Sequence, residues 1–131
     1  MPDTNKEPKK LLLVDDDEFL LDMYSMKFRE ANFSIDIASS GSTALEKMKN
    51  NTYDVVLLDI VMPSMDGFEV LAELKKNNLL GKAIIIVLSN LGQKEDIERG
   101  IQLGATDYVI KAHFTPREVV EKVQYQLSRK K

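Results

Sequence analysis

The chain has 131 residues, 44% hydrophobic and 30% charged, with a net charge of −3 and no cysteine. That describes one domain with room for a real core, and it excludes disulfides, thiol catalysis and any Cys-based metal site. The acidic balance disfavours direct binding to nucleic acid or to an anionic membrane, except through a local patch.

In chain order, the polar start MPDTNKEPKK lacks the apolar heart of a signal peptide and reads as a flexible leader over 1–10, ahead of a domain over 11–131. Leu11 to Val14 is an apolar strand that runs into Asp15, Asp16, Asp17 and Glu18. Acids suit the positive end of a helix, which accounts for one or two of these four. Leu20, Met23, Tyr24, Phe28 and Ala31 then recur on one helical face. A second strand is expected at Ile35 to Ala38 and a second helix around Leu45 and Met48. Val55 to Leu58 is a third strand, ending at Asp59. Asp66 with Glu69 three residues later opens a third helix carrying Val70 and Leu74, and Gly81 falls where that helix must stop and the chain turn into the next strand. Ala83 to Leu88 is a fourth strand, far short of the roughly 18 apolar residues of a membrane span, and it is followed by Ser89 and Asn90. Ile97 and Ile101 share a face of the fourth helix, which Gly104 stops. Tyr108 to Ile110 is the fifth strand, with Lys111 next. Thr115, Pro116 and Glu118 then supply a cap, a first-turn proline and a capping-box acid for a helix bearing Val119, Val123 and Leu127. The closing Arg129, Lys130 and Lys131 read as a solvated helix end.

Five strands alternating with five helices build a parallel sheet covered on both faces, so its strands are apolar without alternation. Ligands of such a sheet collect beyond the carboxyl ends of the strands, where the winding reverses. At those ends stand Asp15 and Asp16, Asp59, Ser89 and Lys111. Taken singly, Asp59 suits a turn, Ser89 a helix cap and Lys111 solvent. Together at one sheet edge they suit phosphoryl chemistry. Clustered carboxylates repel and raise one another's pKa unless a cation holds them, and Mg2+ takes oxygen ligands from one or two carboxylates and a phosphoryl group. A carboxylate can also act as the nucleophile that takes up phosphate as an acyl phosphate, with a lysine and a hydroxyl stabilising its oxygens.

The stretches LLLVDDD, VVLLDIVMPSMDGFEVL, IIIVLSN and GATDYVIK resemble the receiver domain of two-component response regulators, over nearly all of the chain from Leu11 to Leu127. The resemblance implies a flavodoxin-like, doubly wound five-stranded sheet of order 2-1-3-4-5. It implies Asp59 as acceptor of a phosphoryl group from a sensor histidine kinase or phosphotransfer protein, and Asp15 and Asp16 as the Mg2+-holding pair, with the backbone carbonyl of Val61 and Asp59 itself as further ligands. The family's hydroxyl falls on Ser89, its lysine on Lys111 and its switch aromatic on Tyr108. Ser89 would move in to bond the phosphoryl group and Tyr108 would turn into the space it leaves. The face of the fourth helix, fifth strand and fifth helix would then be remodelled to bind a downstream protein. Such a protein is not an enzyme in the ordinary sense but assists its own phosphorylation and dephosphorylation, as a monomer or a phosphorylation-dependent homodimer in the cytoplasm.

One departure stands out: the family usually has proline after its lysine, whereas Lys111 is followed by Ala112 and His113. A non-proline cis bond costs about 2.5 to 4 kcal/mol, so a trans bond or a rearranged loop is expected there, with His113, the single histidine, an exposed loop residue. Val61 cannot orient an attacking water, which points to a long-lived phosphoryl state, although Asn90 could take part of that role. Two other readings compete: a haloacid dehalogenase-like phosphohydrolase using Asp15 and Asp17, and a receiver-like module that binds constitutively. With the fifth helix closing the sequence, direct DNA contact is not expected of these residues, whether they form a stand-alone receiver that binds another protein or a fragment of a longer regulator.

Overall fold

The computed structural model describes residues 7–129. Most of the expected leader, residues 1–6, and the last two of the closing basic residues, Lys130 and Lys131, lie outside the described residues. The elements run β1 (Lys10–Val14), α1 (Glu18–Glu30), β2 (Ser34–Ala38), α2 (Gly41–Asn50), β3 (Val55–Leu58), α3 (Gly67–Lys76), β4 (Ile84–Ser89), α4 (Lys94–Gln102), β5 (Asp107–Ile110), a 3-10 turn (Lys111–His113) and α5 (Pro116–Arg129). They form one parallel sheet in the order β2-β1-β3-β4-β5, the flavodoxin-like arrangement expected from the sequence. No described helix is long and apolar enough to cross a membrane.

The strand residues divide by parity between two cores. Leu12, Val14, Val56, Leu58, Ile85 and Val87 face one way and pack with Ala44 and Met48 of α2 and with Phe68, Leu71 and Leu74 of α3. Leu11, Leu13, Val55, Leu57, Ile84 and Ile86 face the other way, onto Leu21, Tyr24 and Phe28 of α1 and Val119 and Val123 of α5. The central strands β1, β3 and β4 are therefore buried on both faces, and this is why β3 and β4 read as unbroken apolar runs.

Helix starts follow the side chains that satisfy their free N–H groups. Asp17 accepts from the N–H groups of Phe19 and Leu20 at the start of α1. Asp66 with Glu69 and Thr115 with Glu118 form reciprocal capping boxes at α3 and α5. Gly104, at φ 114°, follows the last turn of α4 as expected. Gly81 plays a different part: α3 ends earlier, at Asn77, where Asn78 takes the left-handed conformation with φ 56°. Gly81 belongs to the turn into β4.

Two helical faces also differ from the sequence pattern. In α1, Leu21, Tyr24, Ser25 and Phe28 are buried, while Leu20, Met23 and Ala31 pack at the margin, because the helix must fit the groove between the sheet and α5. In α4 the buried residue is Gly100, with Ile97 half-buried and Ile101 exposed. The Tyr108 ring takes the space: a Cβ on Gly100 would meet its Cδ2 at 3.0 Å.

The segment after β3 folds back tightly on the strand end, with Gly67 N–H donating to the Ile60 carbonyl at 2.8 Å. A Cβ on Gly67 would meet the Asp59 carbonyl oxygen at 2.3 Å, so only glycine allows this approach. Gly67→Ala is expected to destabilise the domain by about 1 to 3 kcal/mol, a cost typical of overpacking. Urea unfolding of the variant checks this, and an unchanged midpoint would contradict the close packing.

Candidate phosphoacceptor site

Two strand ends meet where the winding of the sheet reverses, between β1 and β3. Val14 pairs with Leu58 across this gap, and the ladder runs one residue further through the Asp59 N–H, which donates to the Val14 carbonyl at 3.0 Å. Asp15 and Asp59 are therefore neighbours by register alone. Both are buried, at 3% and 6% exposure, whereas Asp16 is exposed at the rim. Asp15, Asp16 and Asp59 each offer a carboxylate oxygen within 4.8 Å of the others.

Lys111 comes to this site from β5. Its ammonium lies 2.8 Å from Asp15 Oδ2 and 3.4 Å from Asp59 Oδ2, on a turn containing no cis peptide bond among the described residues. Replacing the family's proline with Ala112 therefore leaves the lysine aimed at the acids. Burial by itself would lower the Lys111 pKa; the hydrogen bond it donates to Asp15 and the charges of Asp59 and Asp15 more than offset this and raise it. Burial pushes the Asp59 carboxyl up, Lys111 opposes this, Asp15 adds to it, and Ser89 and the Ile60 N–H oppose it, with a net rise. The Ile60 N–H donates to Asp59 Oδ1 at 2.7 Å.

Ser89 is the last residue of β4 and 1% exposed, so it is no helix cap; the N-cap of α4 is Gln93. Its Oγ accepts from the Leu91 N–H at 3.2 Å. Tyr108 is half-buried against Gly100 and Val87, and its hydroxyl donates to the Leu91 carbonyl. Burial, with the charges of Asp96 and Asp59, pushes that phenol up to about 12. The Val61 side chain is 62% exposed beside the site. His113 is exposed, as expected. Asp17, the second acid of a dehalogenase-like pair, spends its carboxylate on capping α1.

Asn90 has a partner that sequence reasoning missed: its Oδ1 accepts the Ala112 N–H at 2.9 Å. The one signal was the missing proline, since only a non-proline residue at 112 has that N–H to donate.

The model of the response regulator receiver domain matches residues 11–124. The transcriptional regulatory protein ResD of Bacillus subtilis (strain 168) is 35% identical over 129 residues, covering 98% of this chain and 51% of ResD. The receiver domain of the Francisella response regulator 1452 superposes with a TM-score of 0.85 at 32% identity, over 94% of this chain and 99% of that one. The CheY of Borrelia burgdorferi, solved in a complex with CheX, BeF3 and Mg2+, gives 0.83 at 30% identity, over 91% and 89% of the two chains. The fold and these matches define a signalling module. The chain belongs to the response regulator receiver domain family of two-component systems, whose signalling depends on phosphorylation. It spans about half the length of the curated relatives it matches.

Asp59 binds its proton more tightly in the folded than in the unfolded chain. Its contribution to stability therefore falls as pH rises from the ordinary carboxylate value of 3.8 through the raised one, and levels off above it. Asp59→Asn is expected to remove this slope and to raise the melting temperature at pH 7 by a few degrees, read by calorimetry. A lower melting temperature would mean that the ion pair with Lys111 outweighs burial.

Proposed function

We propose that Asp59 accepts a phosphoryl group from a phosphohistidine on a sensor histidine kinase or phosphotransfer protein. The observation that carries this reading is the buried Asp15–Lys111–Asp59 cluster, in which one ammonium lies within 3.4 Å of two carboxylates. An Asp59 carboxylate oxygen forms the new P–O bond as the P–N bond to histidine breaks, and the imidazole leaves to take up a proton. Lys111 follows the charge onto the phosphoryl oxygens, and the Ser89 hydroxyl donates to one of them. Fixed, water-poor donors at this place stabilise the transferring group without reorganisation.

The donor set suits Mg2+: hard oxygens from Asp15, Asp16 and Asp59 lie close together, and the pKa of buried Asp59 is raised in part by Asp15. These three and the Val61 carbonyl would hold it, and it would supply charge neutralisation for the acyl phosphate. That the similar Borrelia protein was solved with BeF3 and Mg2+ supports the assignment.

Ser89 and Tyr108 form the switch. Both bond to Leu91, Ser89 through its N–H and Tyr108 through its carbonyl, so a shift of Ser89 toward the phosphoryl group changes the seat of Tyr108. The phosphorylated state is favoured only by the contacts it gains, and the face of α4, β5 and α5 is where the change is read. Its reader is a downstream protein, or a second copy in a phosphorylation-dependent homodimer, rather than nucleic acid met by these residues. The domain works in the cytoplasm and assists its own phosphorylation and dephosphorylation.

Incubation with acetyl phosphate and Mg2+ is expected to give a single stoichiometric phosphoryl adduct by intact mass, lost in Asp59→Asn. Persistence of the adduct in that variant would sink the assignment, and steady phosphate release from small phosphomonoesters would favour a hydrolase. With Val61 apolar, the adduct should be long-lived, and Val61→Glu should shorten its lifetime at least severalfold by orienting a water molecule. An unaltered decay rate in that variant would remove Val61 from the account.

A further inference from the structure

Three successive residues between β4 and α4 are tied to alternate residues at and beyond the end of β5. The Leu91 carbonyl accepts the Tyr108 hydroxyl. Gly92 sits so close to Ile110 that a Cβ there would meet Ile110 Cδ1 at 2.5 Å. Asn90 Oδ1 accepts the Ala112 N–H at 2.9 Å. Between the last two ties Lys111 sends its ammonium to Asp15 and Asp59. The lysine is thus bracketed by residues anchored to the neighbouring loop.

The third of these ties sets a condition on both of its residues. It needs an acceptor on the side chain at 90 and an N–H at 112, and the second condition is met because alanine stands where the resemblance leads one to expect proline. We propose that Asn90 is a positioning residue for the phosphoryl chemistry: its carboxamide oxygen, acting through the Ala112 N–H, holds the turn that aims Lys111. The proposal rests on the reading of Asp59 and Lys111 given above and assigns Asn90 a part other than orienting water.

The turn itself explains why the ordinary proline would not serve here. Lys111 opens a 3-10 turn closed by the Phe114 N–H on the Lys111 carbonyl at 3.3 Å. A proline at 112 would bias Lys111 away from that helical backbone and would remove the N–H that Asn90 holds. Introducing the family's own residue should therefore impair this domain.

Asn90 is exposed, so its substitution does not threaten the fold. The first measurement is amide hydrogen exchange at Ala112 by NMR, without Mg2+ or phosphoryl donor. Asn90→Ala is expected to speed it roughly 2- to 10-fold, the range one net hydrogen bond allows, and Asn90→Asp, which keeps an acceptor oxygen, to restore it. The second is the rate of adduct formation with acetyl phosphate and saturating Mg2+. Asn90→Ala and Ala112→Pro should each slow it, and the double variant should be no slower than Ala112→Pro alone, since the bond is already gone. Unchanged Ala112 exchange in Asn90→Ala, or effects that multiply in the double variant, would overturn the proposal. A parent protein that takes up no phosphoryl group would defeat the functional reading instead, while the exchange rates would still decide whether Asn90 holds the turn.

Discussion

Asp15 and Asp59 are buried side by side, and the single ammonium of Lys111 lies 2.8 Å from one and 3.4 Å from the other. Most of the site follows from this. Two adjacent carboxylates at such depth are costly, and the sheet imposes the arrangement by placing the ends of β1 and β3 next to each other. Lysine offsets part of the repulsion, leaving Asp59 with a raised pKa and a site that gains from any further cation. The residual imbalance is what makes the cluster suited to a divalent ion and a phosphoryl group, rather than a closed structural ion pair.

The loops around the acids carry the next layer of constraint. Gly67 lets the segment after β3 turn back onto the Asp59 carbonyl, and the Ile60 N–H fixes one carboxylate oxygen. On the far side, residues 90–92 are bound to the end of β5 by two hydrogen bonds and one close apolar contact. The Asp59 carboxylate is thus held from one side, while Ser89 and Lys111 are linked through residues 90–92.

Beyond that loop, α4 is the least buried helix, with Gly100 its one buried residue. It is held by a few specific contacts: Arg99 stacks over the Phe68 ring at 4.3 Å, Lys75 reaches the Gln102 carbonyl at 3.3 Å, and Tyr108 lies against Gly100. Elements with little buried apolar area populate the low-stability end of a fold, and such elements can be displaced by a local change in charge. The phosphorylation proposed for Asp59 would bring such a change in charge to the same domain as this lightly held helix.

The sequence by itself determined the five strands, the capped helix starts at Asp66 and Thr115, and the set of polar residues at the strand ends. These are local matters of apolar period, cap chemistry and turn preference. It also carried the family, because LLLVDDD, the Asp59 to Gly67 segment and GATDYVIK were legible as they stand. Only the tertiary structure decided what happens between segments distant in the chain. It turned α1 to bury Leu21, gave the inner side of α4 to Gly100 because Tyr108 fills that space, and passed the end of α3 to Asn78 instead of Gly81. It also joined Asn90 to Ala112, a bond between residues 22 positions apart. Periodicity reports which side of an element is apolar, but which atoms meet across the fold depends on how whole elements dock, and that is set by the packing of all of them at once.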